Sequence, residues 1–199
     1  MTRTEIKIGG FGGQGVILSG YIVGRAASIY DNKYATMIQA FGPEARGSAC
    51  SAQVIVSSDP IDYPYIVSPQ IMIVMSQEAY VRFSPELTPG GTLITEEELV
   101  TPQKLRKDIK HYSIPATRIA EELGKKLVLN IVMMGFMTAV TKFLDPEAMR
   151  KAVTASVPKG TEDLNLRAFE SGYEFGVTVR QGEVGSSSSI PADTKSVSA

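Results

Sequence analysis

The stretch Ile8-Gly9-Gly10-Phe11-Gly12-Gly13-Gln14-Gly15 constrains the start of this chain more than any other feature. Before it, Glu5-Ile6-Lys7-Ile8 alternates polar and apolar residues, as a strand does. After it, Val16 to Ala27 is apolar on nearly every side, as in a buried helix. A strand, a glycine loop and a helix in that order make a site for an anion. Glycines admit positive φ and let the main chain approach a ligand, while the first helical turn offers unpaired N–H groups and the positive end of its dipole. Gly10, Gly12 and Gly15 also satisfy G-x-G-x-x-G in the context that pattern demands.

A dinucleotide fold places Asp or Glu about 20 residues on, at the tip of the second strand, to hold the ribose hydroxyls. Here the predicted second strand, Tyr34-Ala35-Thr36-Met37-Ile38, runs into Gln39-Ala40-Phe41, and Asp31 stands before it, at the wrong end. The loop therefore serves phosphate or is a packed backbone turn. A stand-alone nicotinamide oxidoreductase loses ground.

With 199 residues and 43% hydrophobic content, one domain around one core is expected. A net charge of −1 without a basic block argues against nucleic acid. Cys50 is the only cysteine, so the chain alone cannot form an internal disulfide or ligate an iron–sulfur cluster through cysteines. No signal-peptide core follows Met1-Thr2-Arg3-Thr4-Glu5. The longest apolar run, around Leu127 to Met137, is cut by Asn130 and Gly135 and is too short for a bilayer. A cytoplasmic protein with no membrane segment is expected.

Cys50 to Ser57 reads as a third strand and Gln70 to Met75 as a continuous apolar strand covered on both faces. Thr92 to Thr95 and His111 to Ile114 read as two more. Ser76 is a predicted N-cap for a short helix through Phe83, and Pro115 opens a helix ended by Gly124. Asn130 to Leu144 forms an apolar helix, and Asp145-Pro146-Glu147 starts another that ends near Ser156. A last helix runs from near Thr161 through Phe175. From Gln181 to Ala199 almost nothing can be buried, so a domain of residues 1–180 and a disordered tail of residues 181–199 are expected. Strands alternating with helices imply an α/β three-layer sandwich with a mainly parallel sheet and a helical C-terminal third.

Phe41-Gly42-Pro43-Glu44-Ala45-Arg46-Gly47 is the second conspicuous stretch. In a doubly wound sheet the loop after the second strand shares an edge with the glycine turn, so Arg46 can offer a charged fork to phosphate. A solvent-exposed Glu44–Arg46 pair that only stiffens its loop is the competing reading. Asn130, at the mouth of its helix, reads first as an N-cap. His111 has neither nucleophile nor metal-ligand company, Met133, Met134 and Met137 read as core, and no nucleophile–base pair stands out. No catalytic residue and no metal ligand is assigned.

Taken together, the motifs resemble the gamma subunit of 2-oxoacid:ferredoxin oxidoreductases. Gly10 to Gly15 is similar to that family's G-x-G-G-Q-G, and Phe41 to Ser48 to its Y-G-P-E-x-R-G-G loop, with Phe41 for Tyr and Ser48 for the second Gly. Leu87 to Ile94 resembles L-x-P-G-G-T-L-I, and Asn130 to Gly135 resembles N-x-x-x-x-G. The resemblance spans residues 4–177. It implies a Rossmann-like fold and membership of a complex that decarboxylates a 2-oxoacid, reduces ferredoxin and forms an acyl-coenzyme A. It also implies coenzyme A binding at this subunit through Gly10, Gly12, Gly13, Gln14, Gly15, Glu44, Arg46 and Asn130. Thiamine diphosphate and iron–sulfur clusters would sit in partner alpha and beta subunits, with delta as an optional further chain. A chain this short and clusterless most resembles the 2-oxoglutarate form. A purely structural interaction subunit remains the other alternative.

Overall fold

The computed structural model describes residues 3–40 and 49–187. One sheet holds six strands: β1 (Arg3–Phe11), β2 (Tyr34–Ala40), β3 (Ala49–Ser57), β4 (Ile71–Val74), β5 (Thr92–Glu96) and β6 (Lys110–Ile114), ordered β2-β3-β1-β4-β5-β6. The pairs β1–β4, β4–β5 and β5–β6 are parallel, whereas β3 runs antiparallel to both β1 and β2. The helices are α1 (Val16–Arg25), continued by a π-helical segment (Ala26–Tyr30), α2 (Gln77–Phe83), α3 (Ala116–Glu122), α4 (Leu129–Thr141), α5 (Pro146–Ser156) and α6 (Glu162–Ser187).

The alternation of a strand's side chains sorts the core into two clusters. Ile71 and Ile73 of β4 pack with Ile6, Ile8 and the buried residues of α1, α3, α4, α5 and α6. Met72 and Val74 pack the other way, with Ala79, Tyr80 and Phe83 of α2. With both faces covered, β4 has no polar face to show, which is why its sequence is apolar throughout. The three-layer reading holds, with one helical layer much the larger.

Local signals place several boundaries. Ser76 Oγ accepts from Ala79 N–H at 3.2 Å and Asp145 Oδ2 from Ala148 N–H at 3.0 Å, with Pro146 in the first helical position. At its far end α4 stops with Lys142 in the left-handed region, at φ 53°.

Three features differ from expectation. First, β1 runs on to Phe11, so Gly9 and Gly10 belong to the ladder, opposite Ser51 and Cys50. Second, β3 runs antiparallel to β2 as well as to β1, where it finds a partner for all nine residues of that strand. Third, α6 continues past Phe175 to Ser187, into the span expected to be a tail. Packing against α4 supports it as far as Arg180: Gly172 and Gly176 lie against Val132, Phe136 and Ala139, and Arg180 Nη1 donates to the Ala139 carbonyl at 3.4 Å. The rest of the expected tail, residues 188–199, lies outside the described residues.

Candidate anion-binding site

β1 pairs with β3 on one side and with β4 on the other. The chain visits the β3 side first and then crosses to β4, so the crevice at the carboxyl ends of β1 and β4 is a topological switch point, the usual ligand position in open α/β sheets. The glycine loop hangs over this crevice. Only Gly12 to Gly15 are in it, and two of them need to be glycine for backbone reasons: Gly13 at φ 95° and Gly15 at φ 72°. Gly15 is the N-cap of α1 and supplies no side chain, and the first turn of α1 contains no acid. The leading N–H groups of that helix have no carbonyl one turn earlier within it. Gly12 and Gly13 are exposed, and a Cβ built on either would meet nothing within 4 Å. Space for a ligand lies beside the main chain.

Gln14 was expected to turn its amide toward an anion. Its carboxamide is instead engaged inside the fold: Oε1 accepts from Phe11 N–H at 2.7 Å and Nε2 donates to the Met75 carbonyl at 2.8 Å. A main-chain bond from Gln14 N–H to Phe11 O, 3.2 Å, closes the turn beneath it. Gly10 is also not a loop residue. It is in β1, and a Cβ there would lie 2.7 Å from Gln14 Oε1, so its glycine makes room for that side chain.

Asn130 is corrected in a similar way. The N-cap of α4 is Val128, and Asn130 stands inside the first turn, 3% exposed. Its Nδ2 lies 3.4 Å from both the Gly15 carbonyl oxygen and Ser19 Oγ, so it ties α4 to the start of α1. Ser19, which the sequence reading missed, also donates to the Gly15 carbonyl at 3.0 Å. The signal for it was a lone hydroxyl one turn after the last loop glycine in an otherwise apolar helix.

Glu44 and Arg46 lie outside the described residues. Their loop is anchored at this edge, because Ala49 pairs with Phe11, and Ala40 pairs with Ser51, two residues further along β3. The shared edge thus arises from an antiparallel pair rather than from a doubly wound crossover. Cys50 is buried beside the loop, and burial pushes its thiol above the ordinary value; Sγ donates to the Gly10 carbonyl at 3.4 Å. The Pro89-Gly90-Gly91 turn leads into the amino end of β5, across the sheet from the glycine loop, and ties that edge through Gly90 N–H to the Asp108 carbonyl, 2.7 Å. Among the described residues no group of His, Cys, Asp or Glu could hold a metal ion, and no helix is long and apolar enough to cross a membrane.

Pyruvate ferredoxin/flavodoxin oxidoreductase is the family whose pattern this sequence matches, over residues 5–175. The chain belongs to that family. It is 48% identical over 174 residues to the 2-oxoglutarate synthase subunit KorC of Methanocaldococcus jannaschii, covering 86% of this chain and 93% of the relative. It is 44% identical to the KorC subunit of Methanothermobacter marburgensis, with 87% and 96% covered. Among solved structures, the keto/oxoacid ferredoxin oxidoreductase gamma subunit of Geobacter sulfurreducens superposes with a TM-score of 0.80 at 36% identity, covering 89% of this chain and 98% of that one. The 2-oxoglutarate:ferredoxin oxidoreductase of Magnetococcus marinus, solved with 2-oxoglutarate, coenzyme A and succinyl-CoA, shares the fold: TM-score 0.77 at 19% identity, covering all of this chain and 33% of that one. The chain is thus a gamma subunit of a 2-oxoacid:ferredoxin oxidoreductase, one part of a multi-subunit oxidoreductase, and a stand-alone nicotinamide enzyme is not favoured.

Proposed function

We propose that this gamma subunit serves a 2-oxoglutarate:ferredoxin oxidoreductase and holds the phosphate-bearing part of coenzyme A over the β1–β4 crevice. The observation that carries the reading is the exposed main chain at Gly12 and Gly13, open beside the start of α1 at the switch point. The KorC relatives support the choice of 2-oxoacid, and the ligands bound to the Magnetococcus protein support the choice of thiol substrate. Arg46, with Glu44 beside it, is assigned to the same ligand from the loop that joins β2 to β3. Decarboxylation on thiamine diphosphate and electron transfer through iron–sulfur clusters to ferredoxin belong to alpha and beta subunits, with delta as a further chain in some assemblies. The whole works in the cytoplasm.

Gly12 offers a cleaner test than Gly13. Its φ is not in the left-handed region and nothing lies within 4 Å of an added Cβ, so Gly12→Val is compatible with the free fold. In the assembled complex this variant is expected to raise the KM for coenzyme A about tenfold, while the KM for 2-oxoglutarate and the thermal midpoint stay at wild-type values. Arg46→Ala should move the same constant in the same direction. An unmoved coenzyme A constant in soluble, fully assembled Gly12→Val would leave the loop a structural turn.

A further inference from the structure

The bonds made by Gln14 fall at a particular point of the sheet. The parallel ladder between β1 and β4 runs through Gly9 opposite Val74, and Met75 N–H then donates to the Gly9 carbonyl at 2.9 Å. By the spacing of a parallel ladder, the next rung would join Phe11 N–H to the Met75 carbonyl. That rung is not formed directly. The Gln14 carboxamide stands between the two groups, accepting from Phe11 N–H at 2.7 Å and donating to Met75 O at 2.8 Å. It acts as a peptide group inserted edgewise into the ladder. Its width separates the ends of β1 and β4 where the crevice begins, and its backbone, three residues after Phe11, is drawn back over the strand end.

We propose that Gln14 is a positioning residue for coenzyme A: its carboxamide splays β1 from β4 and fixes the Gly12-Gly13 main chain, without touching the ligand itself. The proposal rests on the coenzyme A reading given above. Two features of the surroundings belong to the same device. Gly10 lacks the Cβ that would collide with Gln14 Oε1, and the positive φ of Gly13 and Gly15 lets the chain rise and return within four residues. Only a group that accepts at one end and donates at the other completes the inserted rung. Among side chains of this length, glutamine does so at every pH, and glutamic acid does so only when protonated.

The test uses the assembled complex with Gln14→Glu and Gln14→Met, measured beside Gly12→Val across pH 6 to 8.5. Gln14→Met removes both bonds and should raise the KM for coenzyme A about tenfold at every pH. Gln14→Glu should match it at pH 8.5, where a carboxylate faces the Met75 carbonyl. It should return toward the wild-type constant as pH falls and the carboxyl regains a donor. The KM for 2-oxoglutarate, and kcat at saturating coenzyme A, should stay within about twofold of wild type in both variants. If Gly12→Val raises the coenzyme A constant while both Gln14 variants leave it unmoved, the positioning role is wrong and the binding reading stands. A Gln14→Glu constant raised equally at all pH values overturns the inserted-rung role. If Gly12→Val itself has no effect, the coenzyme A reading fails and the role of Gln14 in it fails too.

Discussion

Asn130 and Gly15 are clasped together. Nδ2 of Asn130 lies 3.4 Å from the Gly15 carbonyl oxygen, and a Cβ built on Gly15 would fall 2.5 Å from that same nitrogen. Gly15→Ala therefore meets two penalties: about 1–2 kcal/mol for an alanine in the left-handed region, and displacement of a buried carboxamide. The thermal midpoint should drop by several degrees, at about 2–4 °C per kcal/mol for a chain of this size. Asn130→Ala should also destabilise, and the double variant should lose less than the sum of the two. A double-mutant cycle checks this, and strict additivity would show that the two side chains do not meet.

Gly135 of α4 and Gly172 of α6 allow main chain to meet main chain. A Cβ on Gly135 would run into the Phe169 carbonyl oxygen, and one on Gly172 into the Val132 carbonyl oxygen. Backbone cannot swing aside as a flexible side chain can, so each Gly→Ala change should cost about 1–3 kcal/mol or more by overpacking. Gly24, helical and with nothing within 4 Å of an added Cβ, is the control. Gly24→Ala should be neutral or stabilise by about 0.5–1 kcal/mol. Denaturant midpoints would separate the two classes.

Arg150 joins α5 to α6. Its Nε and Nη2 reach the two carboxylate oxygens of Glu170 at 2.5 and 2.9 Å, and its guanidinium lies 5.3 Å from the Tyr173 ring centroid and 5.8 Å from that of Phe169. The Glu170 side chain is 38% exposed, so solvent screening holds the ion pair itself to about 0.5–1 kcal/mol. Loss of the ring contacts, and of the Nη1 bond to exposed Glu147 at 2.6 Å, should make Arg150→Ala more destabilising than Glu170→Gln. Equal losses would place the whole effect in the Arg150–Glu170 pair.

His111 is half-buried, with Nε2 2.9 Å from Thr95 Oγ1, and burial holds its imidazole below the usual value. The folded protein thus binds this proton less tightly than the unfolded chain does. The associated stability is present above the unfolded pKa of about 6.5 and is lost as pH falls from there through the lower folded pKa. Between pH 7.5 and 5.5 the thermal midpoint should decline. His111→Gln should flatten that part of the curve, and an unchanged slope would assign the decline to another group.

What was legible in the sequence was mostly local. Ser76 and Asp145 mark helix starts through bonds to residues three positions away, Pro146 through its fixed φ, and all three stand where the pattern placed them. The apolar run at β4 likewise reported burial on both faces. What was not legible depended on distant partners. Nothing near Cys50 to Ser57 shows that this strand runs antiparallel to β1, because register and direction are set by which strand it meets. Asn130 looked like a cap because its neighbours in sequence allowed one, while its real partners, Gly15 and Ser19, are at the start of α1. Gln14 looked like an anion donor for the same reason. Its partner Met75 is 61 residues away, and only the fold shows that its amide is already committed. The length of α6 was underestimated because composition measures what residues 181–187 can bury, not whether an established helix carries them along.

The bonds around the glycine loop also bear on the order in which the protein matures. The loop leaves the ribosome ahead of its braces: Met75 follows Gln14 by 61 residues, and Asn130 follows Gly15 by 115. Until then neither the Gln14 carboxamide nor the Gly15 carbonyl has its partner. A nascent chain halted before α4 would hold the strands of the β1–β4 crevice but not the clasp that settles its rim. The rim of the crevice is therefore settled only once α4 has been made and, with α6, seals the larger helical layer. In this subunit the glycine loop is made well before the contacts that put it in order.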